Sequence, residues 1–95
     1  MSSIDLSAAY ALDPQVSLRP EPFGALAYHF GNRRLSFLRS PDIVAVVSSL
    51  DGAPSLRAAL EANQIDELRW PSFSAALTTL ESSDMIHRVR AVGAG

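Results

Sequence analysis

The feature that most constrains this chain is a pair of alternating runs on either side of Gly31-Asn32. If Gly31-Asn32 is a two-residue hairpin loop, paired residues have numbers that sum to 63. Phe30 then lies opposite Arg33, Tyr28 opposite Leu35, and Leu26 opposite Phe37. Leu26, Tyr28, Phe30, Leu35 and Phe37 share one face; Ala25, Ala27, His29, Arg34, Ser36 and Leu38 share the other. Side chains alternate with a period of two, so a slip of one residue would destroy that separation. The pattern predicts antiparallel strands over 24–30 and 34–38, with Gly31 supplying the positive φ of the turn. It also predicts that helices cover the face with the larger residues, because three strands alone cannot bury it.

The rest of the chain fits around this hairpin. Val16-Ser17-Leu18-Arg19 alternates as a shorter strand, and Pro20-Glu21-Pro22 marks a turn or bulge after it. Ser40-Pro41-Asp42 starts a helix with Ser as N-cap and Pro in the first turn. Ile43, Val46, Val47 and Leu50 follow at i, i+3, i+4, i+7, and Asp51-Gly52 ends the helix. Pro54-Ser55 opens a second helix with Leu56, Ala59 and Leu60 on one face and Asn63 as a left-handed stop. Trp70-Pro71 begins a third, with Phe73, Ala76, Leu77 and Leu80 in register and Ser82-Ser83-Asp84 ending it.

Strands grouped before helices mean an α+β fold: a three-stranded antiparallel sheet followed by three helices. The last two helices and the segment after them resemble half of a winged helix-turn-helix. Residues 1–12 read as a loose arm with order near Tyr10, 13–90 as one domain and 91–95 as a flexible tail.

Composition excludes several function classes. The 95 residues have room for one core, and 47% apolar content is enough to build it. There is no cysteine, hence no disulfide or thiolate chemistry. No apolar run approaches the ~18 residues of a membrane span, and Met1 to Leu12 lacks the features of a signal peptide. The expectation is a soluble cytoplasmic protein. The net charge of −2 argues against a chain driven by non-specific nucleic-acid affinity.

Catalytic and metal chemistry find little support. His29 and His87 are the only histidines and have no metal-ligand spacing, so both read as surface residues. The serines include no nucleophile elbow, the glycines form no phosphate loop, and the acidic residues show no paired arrangement. The expectation is a non-enzyme without cofactor or metal. A winged helix-turn-helix regulator binding DNA is the alternative. Against it, the outward positions of the third helix, Ser72, Ala75, Thr79, Glu81 and Ser82, carry no cation.

The third strand offers more. In a meander it lies at the sheet edge, and Arg34-Leu35-Ser36-Phe37-Leu38 lacks the proline that usually blunts an edge. Such an edge accepts a partner strand, and Arg33, Arg34 and Arg39 around it suit an acidic segment. The edge could equally be covered by the N-terminal arm or by a second copy.

The run from Gln15 through Arg19-Pro20-Glu21-Pro22-Phe23-Gly24-Ala25 and Tyr28-His29-Phe30-Gly31-Asn32-Arg33-Arg34-Leu35 to Ser40-Pro41 resembles the mycofactocin precursor-peptide chaperone family, MftB. The resemblance is densest from Tyr10 to Leu50, and the Arg19 to Ala25 segment is its most specific part. The family is similar to PqqD and to the recognition elements of ribosomally made, modified peptides. The resemblance implies a PqqD-like domain that binds the leader of a precursor peptide and presents it to a radical S-adenosylmethionine enzyme, without doing chemistry itself. It implies that the leader adds beside the third strand and over the third helix. Carried onto this chain, that names Arg33, Arg34, Leu35, Ser36, Phe37 and Leu38 on the strand side, and Phe73, Leu77 and Leu80 on the helix. Trp70 is either a further groove residue or a core anchor at the helix start. The Arg19 to Ala25 segment is either a rigid turn or a surface read by the enzyme partner.

Overall fold

The computed structural model describes residues 4–89, so the tail expected at 91–95 lies outside the described residues. In chain order the elements are β1 (Ala9–Leu12), β2 (Val16–Glu21), β3 (Gly24–His29), β4 (Leu35–Leu38), α1 (Pro41–Ser49), α2 (Leu56–Ala62), α3 (Trp70–Ser82) and β5 (Ile86–Val89). Strands β2, β3 and β4 form the expected antiparallel meander with β3 in the middle, and three helices follow it. The remaining strands, β1 and β5, pair with each other as a separate antiparallel ribbon.

That ribbon corrects the picture of a loose N-terminal arm. Tyr10 on β1 is buried in the core. Just before it, the carbonyls of Ala8 and Leu6 accept the N–H groups of Leu56 and Arg57 at 2.8 and 2.9 Å. These are donors of the first turn of α2, which have no partner inside their own helix. The N-terminal segment is held because it satisfies them.

The hairpin register is as read from the sequence. Ala25 pairs with Leu38, Leu26 with Phe37, Ala27 with Ser36 and Tyr28 with Leu35. The loop is longer than expected. His29 N–H donates to Arg34 O at 3.0 Å and Arg33 N–H donates to His29 O at 2.8 Å, which leaves Phe30 to Arg33 as a four-residue loop. The positive φ falls on Arg33, at 63°, and not on Gly31. The cause is His29, whose Nδ1 accepts the N–H groups of Gly31 and Asn32 at 3.0 and 3.1 Å and curls the loop around the ring. His29 is therefore a buried capping residue, not a surface one. With Nδ1 accepting, the ring proton of neutral His29 sits on Nε2, which faces Asp13 Oδ1 at 3.6 Å.

The buried face of the sheet is the opposite of the expected one. Ala25 and Ala27 are each 1% exposed, with His29 and Leu38 also buried, whereas Phe30, Leu35 and Phe37 are 62%, 56% and 57% exposed. Volume is the reason. Both faces of the hairpin carry apolar residues, and the helices already supply bulk through Ile43, Val46, Val47, Phe73 and Leu77. Small residues on the sheet allow that bulk to fill the interlayer space at native density.

Helix ends follow local chemistry. Ser40 and Ser55 cap α1 and α2, accepting from the N–H groups of Ile43 at 3.3 Å and Ala58 at 3.1 Å. At the other end, α2 and α3 finish alike. Ile65 N–H reaches back to Leu60 O at 3.0 Å, and Met85 N–H to Leu80 O at 2.8 Å, with Gln64 and Asp84 left-handed in between. The left-handed stop of α2 is thus Gln64, one residue beyond the expected Asn63.

Two predictions follow from this frame. Gly24 has φ 148°, and a Cβ there would lie 2.1 Å from the Leu38 carbonyl oxygen. Gly24→Ala should lower stability by about 1–3 kcal/mol or more, and an unshifted urea midpoint would contradict this. Asp13 accepts the Gln15 N–H at 2.7 Å, also bonds His87 Nε2, and lies beside His29. The Gln15 amide first, and then His87, hold its carboxyl below the ordinary value of 3.8 in spite of partial burial. A depressed carboxyl stabilises the fold above its unfolded value and loses that contribution as pH falls through the folded value. Asp13→Asn should therefore be less stable than wild type at pH 7, with the gap closing below about pH 4. Thermal melts across that range would test it, and a gap that widened in acid would refute it.

Candidate functional site

Antiparallel pairing determines where the free backbone groups of β4 point. The bond from His29 N–H to Arg34 O marks a hydrogen-bonded pair. Hydrogen-bonded and non-bonded pairs alternate along an antiparallel ladder. Ala27–Ser36 and Ala25–Leu38 are therefore bonded pairs, while Tyr28–Leu35 and Leu26–Phe37 are not. The N–H and C=O groups of Ser36 and Leu38 point toward β3, and those of Leu35 and Phe37 point out from the open edge.

Beyond this edge runs a groove of about 620 Å³ between β4 and α3. One wall is Leu35 to Ser40, and the other is Ser72, Phe73, Ala76, Thr79, Leu80 and Ser83, with Ile43 of α1 between them. Its size and mostly apolar lining are those of a ligand-binding cleft. Both ends are pinned. At one, Asn32 Nδ2 donates to Ser83 O at 3.1 Å and ties the hairpin loop to the end of α3. At the other, Arg69 Nη1 pairs with Asp42 Oδ2 at 2.9 Å and joins the start of α1 to the residue before α3. Ser72, Ala76, Thr79 and Ser83 keep the groove open, because small side chains recur there on one face of the helix.

The structure brings Leu35, Ser36, Phe37, Leu38, Phe73 and Leu80 together along this groove. Arg33 and Arg34 sit at the hairpin end and do not line it. Neither does Leu77, which is 0% exposed and belongs to the core, nor Trp70. Trp70 is buried, donates from Nε1 to Ile65 O at 3.0 Å and carries Arg57 over its ring at 5.6 Å. Trp70 thus lies in the core cluster and outside the groove lining. Ser40, Ile43, Ser72, Ala76, Thr79 and Ser83 were not expected in the site, and Arg39 was expected only beside the edge. For the residues at 72, 76, 79 and 83 the one sequence signal is the run of small side chains, which lies beside the apolar stripe of the same helix.

Charge is distributed unevenly around this edge. Between residues 16 and 40 stand four arginines and a single glutamate, in a chain whose net charge is −2. That glutamate, Glu21, pairs with Arg19 at 3.4 Å. No carboxylate lies within 4.0 Å of Arg33, Arg34 or Arg39 among the described residues. The edge is therefore more positively charged than the chain as a whole. The exposed side of α3, in contrast, offers no arginine or lysine for a phosphate backbone.

Known proteins resemble this chain along most of its length. The model of the Peptide chaperone MftB family matches residues 9–87. A relative named Peptide chaperone MftB from Mycobacterium tuberculosis is 44% identical over 85 residues, which are 90% of this chain and 78% of that protein. One of the same name from Mycobacterium ulcerans is 44% identical over 84 residues, 88% of this chain and 77% of that protein. A third, from Mycolicibacterium smegmatis, is 43% identical over 84 residues, 88% of this chain and 82% of that protein. No solved structure matches the chain.

Groove and core positions on α3 should separate by stability. Leu77→Ala is expected to cost about 2–5 kcal/mol as a core truncation, and Trp70→Phe about 1 kcal/mol for the lost hydrogen bond. Ala76→Ser, on the groove face, should leave the denaturation midpoint almost unchanged. A large loss at Ala76 with none at Leu77 would mean that the helix is rotated from the orientation described.

Proposed function

The chain belongs to the peptide chaperone MftB family, and from that premise we propose that it is a peptide-binding adaptor of mycofactocin biosynthesis. In this reading the leader of a ribosomally made precursor peptide adds as a strand to the edge of β4 and lies along α3. The adaptor presents it to a radical S-adenosylmethionine maturase and carries out no chemistry. The observation that supports it best is the coincidence of three features on one side of β4. These are the outward backbone groups of Leu35 and Phe37, the groove against α3, and the flanking arginines, which have no carboxylate within 4.0 Å among the described residues.

Each feature has a defined task under this reading. Backbone hydrogen bonds to Leu35 and Phe37 supply affinity that depends little on the leader's sequence. Apolar side chains at every second leader residue reach Phe73, Leu80 and Ile43, and these contacts supply specificity. Arg33, Arg34 and Arg39 attract acidic leader residues and speed the encounter. The small residues of α3 leave room for the added strand. The Arg19 to Ala25 segment contains a tight turn: Glu21 pairs with Gly24, and Gly24 passes so close to Leu38 that no side chain fits.

The test is to change the outward row of backbone donors without touching the inward one. Phe37→Pro removes an outward N–H and leaves the pairing with β3 intact, so a synthetic acidic leader should bind about tenfold or more weakly while the melting curve stays close to wild type. Ser36→Pro removes an inward donor and should destabilise the sheet itself. Amide exchange reads the same geometry directly: adding leader should slow exchange at Leu35 and Phe37 more than at residues 16–19. Equal leader affinity in Phe37→Pro, or protection confined to β1 or β2, would refute strand addition at β4. Tighter binding of duplex DNA than of leader at physiological salt would favour the regulator instead.

A further inference from the structure

The outer face of β3 and β4, turned away from the helices, is apolar, while β2 beside it carries Ser17 and Arg19 opposite Tyr28 and Leu26. Phe23, Leu26, Tyr28, Phe30, Leu35 and Phe37 gather there, and none of them packs against the core. They form one patch across β3 and β4. Phe23 and Phe37 have ring centroids 5.9 Å apart, and Tyr28 meets Phe30 edge-on at 5.1 Å. Leu26 lies opposite Phe37, and Tyr28 opposite Leu35. A solvated sheet face normally carries polar residues at these positions. An exposed apolar cluster of this extent marks a binding surface.

Charge identifies the kind of occupant. Arg39 lies over the Phe37 ring at 5.7 Å, and Arg33 sits at the hairpin end of the patch. Neither has a carboxylate within 4.0 Å among the described residues, and Glu21, the one acid of the sheet, is already engaged by Arg19. A second copy would bring one arginine rim against another with no free carboxylate on the sheet to offset it, and like charges across an interface are unfavourable. A patch two strands wide is also broader than a single peptide strand requires, which favours a folded surface.

We propose that this outer face docks a folded protein whose own apolar patch is edged by carboxylates. The proposal rests on the adaptor reading, under which that protein is the maturase. The leader then occupies the edge and groove of β4, the maturase occupies the outer face, and the two sites meet at Leu35 and Phe37, which line the groove and also belong to the outer patch. Leader and maturase are thereby held on one sheet at the same time.

The test titrates purified maturase and synthetic leader separately against wild type, Phe30→Asp and Phe23→Asp. Both phenylalanines are exposed, at 62% and 44%, and neither lines the groove, so both variants should fold, as circular dichroism would check. Maturase affinity should fall about tenfold or more in each variant, with leader affinity unchanged. Undiminished maturase binding in both variants would overturn the assignment of this face and leave the adaptor reading intact. Wild type that binds leader but not maturase would overturn the adaptor reading and this partner with it. An equal loss of leader and maturase would make the face part of the leader site. A wild-type dimer in sedimentation equilibrium that Phe30→Asp dissolves would assign the face to a second copy.

Discussion

Ala25 and Ala27 set how closely the helices approach the sheet, and much of the architecture depends on that distance. Each is almost wholly buried beneath the helical layer, which includes Ile43, Val46 and Val47 of α1. A methyl group at these positions lets large side chains of the helices fill the space that a larger strand residue would occupy. Core density is then reached with the bulk on the helices and little on the strand. The consequence is an asymmetric hairpin: Ala25 and Ala27 lie inside with His29 and Leu38, and Phe30, Leu35 and Phe37 are exposed.

The groove is what this packing leaves unfilled. Helix α3 presents Phe73, Leu77 and Leu80 to the core or the groove floor, while Ser72, Ala76, Thr79 and Ser83 turn a shallow wall toward β4. The contacts Asn32–Ser83 and Asp42–Arg69 hold the two walls apart at their ends. Because β4 is an edge strand with half of its backbone groups directed outward, the cleft combines hydrogen-bonding capacity with apolar depth. An extended peptide needs both: backbone partners along its length and pockets for alternate side chains.

A small polar cluster connects the ribbon to the sheet. Asp13 follows β1 and bonds His87 of β5 as well as the Gln15 amide, and it also faces His29 at the end of β3. His29 in turn caps the hairpin loop that reaches Ser83 through Asn32. Met85 O accepts the Asp13 N–H at 2.8 Å, which brings the segment after α3 into the same network. The N-terminal ribbon, the hairpin loop and the end of α3 are thus positioned together, and the loop end of the groove with them.

Local rules made much of this legible from residues alone. The order of elements, the sum-to-63 register of the hairpin, the serine caps and the ends of the helices all depend on neighbours within a few positions in the chain. The open edge at β4 could be read for the same reason, because an edge strand without proline is a property of one short segment. Other features depend on partners distant in sequence. Tyr10 and the arm before β1 are held by α2 and β5, and His29 is buried because Asp13 and the loop close around it. Leu77 and Trp70 share the stripe of Phe73 and Leu80, yet they face the core and not the groove, because helix rotation is set by packing. Period-two alternation separates the two faces of a strand but is silent on which face is buried. Sequence by itself determined the two faces of the hairpin and their register. Only the tertiary structure, by fitting helix bulk against Ala25 and Ala27, decided which face became core and which was left exposed.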